Sequence, residues 1–257
     1  ATTANFAGLA AARHAVLAAQ GWDVEAWGLF GAPPIAVIVG NEVHISLLKA
    51  LSMLGLGRER LVKVPVDGQG RIVAAQVPRI EGPAIVCVQA GNVNTGAFDP
   101  IDEIAAQLQG SGAWLHVDGA FGLWAAASLA RRHLVRGIER ADSLVTDAHK
   151  WLNVPYDSGL VIVRDKRHLN AAMSARAAYL MAGETREPDQ LVPEMSRRAR
   201  GVEIWAALRS LGKAGLADLI DRTCNYARRL ADGLQAAGYR VLNDVVLNQV
   251  LVSFGPP

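Results

Sequence analysis

The chain has 257 residues, enough for one large domain or two smaller ones around a substantial core. With 51% hydrophobic and 19% charged residues it is an ordinary globular chain rather than a disordered one, and a net charge of +2 leaves no electrostatic footprint for nucleic acid. Two isolated cysteines, Cys87 and Cys224, make neither a disulfide framework nor a metal site and fit a reducing cytoplasm, while no apolar run reaches the roughly 18 residues that span a bilayer.

In chain order, residues 3–20 predict a helix, and "IAVIVG" predicts a buried strand. An amphipathic segment over residues 44–54 and a strand "LVKVPV" follow. "AIVCVQA" reads as a strand, and "DPIDEIAAQLQG" as a helix opened by Asp99-Pro100. "AWLHVDGA" is a strand, residues 125–138 a helical run, and "SLVTDA" and "GLVIVRD" are strands. Short β-rich runs separated by helices indicate an α/β chain with a mainly parallel sheet covered on both faces.

After Asp165 the texture changes. "AGETREPDQLVPEM" is polar and proline-containing and reads as a loop. "SRRARGVEIWAALRSLG" and "LADLIDRTCNYARRLADGLQAAG" are long helices, and "YRVLNDVVLNQVLVSFG" begins a second β-containing unit. The expected division is a large domain over residues 1–210 and the start of a smaller one over 211–257. Both chain ends read as interior points of a longer protein.

Ligands of open α/β sheets bind at the carboxyl ends of the strands. There "WLHVDGAF" offers His116 and Asp118, and "SLVTDAHK" offers Asp147, His149 and Lys150, one of five lysines against twenty-one arginines. One right-handed crossover separates Asp118 from Lys150, which brings a carboxylate and an amine to one crevice. Taken singly, Asp118 reads as a helix cap and Lys150 as a surface residue. Together they form a pair suited to pyridoxal phosphate, the lysine taking the aldehyde as a Schiff base and the carboxylate taking the pyridinium nitrogen. "GLGRER" lacks the Gly-Lys-Ser/Thr ending of a P-loop. His116 and Asp118 share one side of a strand, but no third ligand stands at metal spacing, so no metal is expected.

"HVDGAF" followed by "DSLVTDAHKWLNVPYDSG" resembles the pyridoxal-phosphate-dependent group II amino acid decarboxylases, the family of aromatic amino acid and glutamate decarboxylases. The likeness extends over "NEVHISLLKAL", "GNVNTGAFDPIDEI" and "SRRARGVEIWAALRSLG", nearly the whole chain. The resemblance implies a fold-type-I, aspartate aminotransferase-like α/β fold: a seven-stranded-type, mainly parallel sheet sandwiched by helices, plus part of a small C-terminal α/β domain. It implies decarboxylation of an L-amino acid to its amine, in a homodimer; the cysteines, charge and hydropathy above add a cytoplasmic location with no nucleic acid or membrane partner. By the same resemblance Lys150 holds the cofactor, Asp118 pairs with the ring nitrogen and Ala120 lies against one ring face. His44 stacks on the other face and assists proton transfer, and His149 binds the phosphate with Ala1 and Thr2, which match the end of the family's phosphate loop. Asn92 lies near the ring substituents. Without the resemblance, His44 is a polar residue at a helix start and Asn92 a turn former. The family's mobile loop often carries a tyrosine that assists Cα protonation; here Pro188 or Gln190 takes that place, and Tyr179 lies upstream. Alternatives are another fold-type-I reaction, aminotransfer or carbon–carbon lysis, or a truncated chain without activity.

Overall fold

The computed structural model describes residues 2–174 and 190–255. Its centre is a six-stranded sheet of β1 (Ala36–Gly40), β2 (Val62–Val64), β3 (Ala84–Gln89), β4 (Trp114–Asp118), β5 (Ser143–Asp147) and β6 (Gly159–Val163) in the order β2-β1-β3-β4-β5-β6. β1 to β5 pair in parallel, and β6 closes the edge antiparallel to β5. This sheet has six strands among the described residues where a seven-stranded type was expected.

The inner strands are apolar on both faces, as a doubly covered sheet demands. Val37, Val39, Ile85, Cys87 and Trp114 face one layer, where they pack with Leu9, Leu17, Leu47, Leu51 and Leu169. These come from α1 (Thr2–Ala18), α3 (Ile45–Met53) and α5 (Lys166–Met173). The alternate residues Ile38, Val86, Val88, Leu115 and Val117 face Ile101 and Ile104 of α4 (Ile101–Gln107). A single turn, α2 (Val24–Trp27), is capped by Asp23. α5, which the sequence pattern did not predict, is capped by Asp165, whose side chain accepts from the Arg167 N–H.

Two expectations need correction. The helical run over residues 125–138 is instead three short 3-10 turns, Gly122–Ala127, Arg132–Val135 and Ile138–Arg140. Tertiary contacts override propensity there: Ser128 is extended and its hydroxyl donates to Asp221 at 2.6 Å, and Gly137 holds a φ of 89°. The two long helices run together as α6 (Arg200–Ala236), broken only by non-helical geometry at Gly212. Beyond it, β7 (Arg240–Val241) and β8 (Val252–Ser253) pair antiparallel.

Candidate active site

The parallel strands bring the expected residues to one edge of the sheet. His44 follows β1, Asn92 follows β3, Asp118 ends β4, and His149 and Lys150 follow β5.

Asp118 is 5% exposed. Its Oδ2 accepts from Asn5 Nδ2 at 3.0 Å and its Oδ1 from the Ala120 N–H at 3.2 Å. It caps no helix. Burial raises its pKa, while these hydrogen bonds and the charges of His44 and Lys150 pull it back. A buried carboxylate with only neutral donors bound to it is a natural seat for a cationic nitrogen.

Lys150 is not a plain surface residue. Its Nζ lies 3.4 Å from Asp147 Oδ2 and 5.5 Å from the centre of the Phe121 ring, and its side chain keeps 35% exposure, enough to be reached. Asp147 is 1% exposed and also faces His149 Nε2 at 3.6 Å. His149 Nδ1 lies 2.8 Å from the Ser158 carbonyl oxygen and 3.0 Å from the Ser158 backbone nitrogen, which fixes the ring with Nε2 on the side of Asp147. The Tyr156 ring lies on His149 with centroids 4.1 Å apart.

Next to His149 is a cavity of about 320 Å³, lined by Thr2, Thr3 and Ala4 at the start of α1 together with Ser158 and Arg197. The first N–H groups of a helix have no intrahelical acceptor, and the dipole favours an anion there. The Ser158 hydroxyl is buried and has no hydrogen-bond partner among the described residues. An unpartnered hydroxyl, free amides and an arginine are the donor set that a phosphate requires. These residues therefore fit pyridoxal phosphate at both ends, phosphate at the α1 terminus and ring nitrogen at Asp118. Thr2 belongs to this lining, and Ala1 lies outside the described residues.

The remaining expected residues have local roles in view. His44 caps α3: its Nδ1 accepts from the Ser46 N–H at 3.2 Å, leaving Nε2 without a partner among the described residues. The side chain of Asn92 forms its turn, Oδ1 accepting from the Asn94 and Thr95 N–H groups and Nδ2 donating to Glu42 at 3.0 Å. Ala120 is half-buried, and its carbonyl accepts from the Asp147 N–H at 2.8 Å, which ties the ends of β4 and β5 together. Pro188 and Tyr179 lie outside the described residues; Gln190 is half-buried. Among the described residues no His, Cys, Asp or Glu cluster of metal-binding size occurs.

Sequence reasoning gave no role to Asn5 and none to Asp147. Asp147 carried a readable signal, since a carboxylate two residues before His149 and three before Lys150 at a strand end reaches both. Asn5 carried none, because its partner is 113 residues away.

The chain matches the pyridoxal-dependent decarboxylase conserved domain over residues 1–255. It is 32% identical over 250 residues to the acidic amino acid decarboxylase GADL1 of Mus musculus, covering 91% of this chain and 46% of that protein. The crystal structure of mouse CSAD superposes with a TM-score of 0.88 at 29% identity, over 100% of this chain and 55% of the other. A structure of Oryza sativa TDC with PLP and tryptamine superposes with a TM-score of 0.82 at 25% identity, over 93% of this chain and 51% of the other. The chain thus spans about half the length of the relatives it matches.

Proposed function

We propose a function from one premise: the chain belongs to the pyridoxal-dependent decarboxylase family. It decarboxylates an L-amino acid to the corresponding amine with pyridoxal 5'-phosphate, in the full-length protein as a homodimer in the cytoplasm. The observation that carries this reading is the convergence of a reachable amine, Lys150, and a buried carboxylate, Asp118, at the ends of adjacent parallel strands.

When bound, pyridoxal phosphate supplies the electron sink for the pair released as carbon dioxide leaves the amino acid. The chain's residues then have these roles. Lys150, whose amine lies 3.4 Å from Asp147 Oδ2, would hold the aldehyde. Asp118 presents a negative charge that keeps the ring nitrogen protonated. His44 accepts its capping bond at Nδ1, so its ring proton sits on Nε2, from which it can donate near that pair. The α1 N-terminus with Thr2, Ser158 and His149 takes the phosphate. Ala120 leaves one ring face uncrowded, and Asn92 orients the loop after β3.

Residues 1–210 form the cofactor-binding domain and 211–257 belong to a smaller one. Phe30, 96% exposed, and Trp27, 59% exposed, offer apolar surface that a second subunit would cover. Both cysteines are free and buried, which suits a reducing compartment. The relatives named for acidic amino acids and for cysteine sulfinic acid make aspartate, glutamate and cysteine sulfinate the first substrates to test.

The test is to mix the protein with pyridoxal phosphate and an amino acid panel and to measure amine and carbon dioxide. Stoichiometric amine and carbon dioxide are expected. Keto acid without carbon dioxide would overturn decarboxylation in favour of aminotransfer. Lys150→Ala is expected to lose the visible absorption of the bound cofactor together with turnover, and turnover at the parental rate would refute the assignment of Lys150.

A further inference from the structure

We propose that Asn5, His116 and Ser143 form a positioning relay, seated in a space left by Gly8, that holds Asp118 ionised and fixed at the site. Its functional meaning rests on the reading of Asp118 above; its geometry does not. The relay crosses three elements. Trp114 Nε1–H donates to Ser143 Oγ at 2.8 Å, and Ser143 Oγ lies 2.7 Å from His116 Nδ1. His116 Nε2 lies 2.9 Å from Asn5 Oδ1, and Asn5 Nδ2 donates to Asp118 Oδ2 at 3.0 Å. Asn5 and His116 are 0% exposed and Ser143 is 1% exposed, so these bonds lie away from bulk solvent.

The polarity of the chain follows from its far end. An indole N–H only donates, so Ser143 accepts from Trp114. The Ser143 hydroxyl proton then has one acceptor among the described residues, His116 Nδ1. That makes His116 the Nε2–H tautomer, which donates to Asn5 Oδ1 and turns the Asn5 amide N–H towards Asp118. Burial pushes His116 down to about 3, so the ring stays neutral and the relay keeps one direction. The reverse direction requires a protonated Asp118 donating to Asn5, and it leaves the buried Ser143 O–H without an acceptor. The relay therefore opposes the burial that favours a neutral Asp118. The other groups facing Asp118 are His44 and Lys150, which favour its ionised form, and the buried Cys87 thiol, whose proton Asp118 helps retain.

Gly8 supplies the room. It lies one turn beyond Asn5 on α1, and a Cβ there would sit 3.0 Å from His116 Cε1 and 3.3 Å from Nδ1. A helix-interior glycine weakens the helix, and this one has no positive φ to justify it. Its place against the imidazole does.

The test reads the cofactor-free protein by NMR with ¹⁵N-histidine and ¹³C-carboxyl aspartate, Asp118 being assigned with Asp118→Asn. The parent is expected to show His116 as the neutral Nε2–H tautomer. Ser143→Ala is expected to shift His116 towards the Nδ1–H tautomer and to raise the Asp118 midpoint by about one pH unit, the size of one hydrogen bond to a charged group. Ser143→Thr, which keeps the hydroxyl, is expected to restore both. Gly8→Ala keeps every donor and acceptor and displaces only the ring; it should raise the same midpoint and carries the test if Ser143→Ala fails to fold. An unchanged tautomer and an unchanged Asp118 midpoint in the folded variants would overturn the relay. Failure of the parent to bind pyridoxal phosphate would overturn the reading of Lys150; the tautomer and the midpoint would still decide for or against the relay.

Discussion

At the scale of single residues, two buried aspartates separate structure from chemistry. Asp118, at the end of β4, has neutral donors and faces the site. Asp99, 4% exposed, binds the Ile72 N–H at 2.7 Å and the Gln89 N–H at 2.6 Å, and so clamps the loop after β2 to β3. Burial outweighs those two donors and pushes Asp99 up to about 7. The folded state therefore retains a proton that the unfolded chain releases at the ordinary carboxylate value. The stability Asp99 contributes is full below about pH 4 and is lost as pH rises towards about 7, at up to about 1.4 kcal/mol per pKa unit. Urea unfolding at several pH values should show this fall in the parent, and Asp99→Asn should flatten it. Parallel pH profiles for the two proteins would show that the backbone donors hold Asp99 ionised throughout. The Asp99-Pro100 pair was legible as a helix start, and α4 does begin at Ile101. That the carboxylate turns away from the helix to tie that loop to β3 was not legible, because its partners lie 27 and 10 residues away.

At the scale of elements, local pattern was a good guide wherever it was continuous. The strands that carry Asp118 and Lys150 are apolar runs bounded by polar residues, and they fall where the runs do. The crossover between them reads as a helical run in the sequence; its course is decided instead by Ser128 bonding to Asp221 and by the positive φ of Gly137, and neither shows in a sequence window. α6 is the opposite case. Two helices with a glycine between them are visible in the sequence, and the structure keeps them as one element with the break at Gly212, φ 60° and ψ −176°. That region of backbone space is nearly reserved for glycine. A Cβ at Gly212 meets nothing within 4 Å, so the cost of Gly212→Ala is conformational rather than steric. We expect Gly212→Ala to lower stability by about 1–3 kcal/mol in denaturant unfolding. A neutral or stabilising result would mean that the junction straightens into continuous helix at no cost.

At the scale of the molecule, the question is how firmly the segment after Gly212 is joined to the sheet that carries the site. A boundary near residue 210 is a composition-based proposal, and the packing qualifies it. Ile220, Cys224 and Leu247 lie in the same buried cluster as Val86, Val88 and Val117 of the sheet. Trp151, the neighbour of Lys150, donates to Thr223 of α6 at 2.9 Å, and Asp221 receives both Ser128 and Arg131. The second half of α6 thus closes one face of the domain that holds the site and steadies the residue next to its lysine. None of this was readable from the sequence, which shows an amphipathic helix but not the surface it covers. The consequence can be tested with Ile220→Ala. Ile220 is 0% exposed, and removing its side chain should cost about 2–5 kcal/mol. If the segment and the sheet share one core, that loss appears globally, and hydrogen exchange should show the slowest amides of β4 and β5 losing protection together with those of α6. Loss of protection confined to α6, with the strand amides unchanged, would show that residues 211–257 unfold as a unit of their own and that the shared cluster does not couple them to the site.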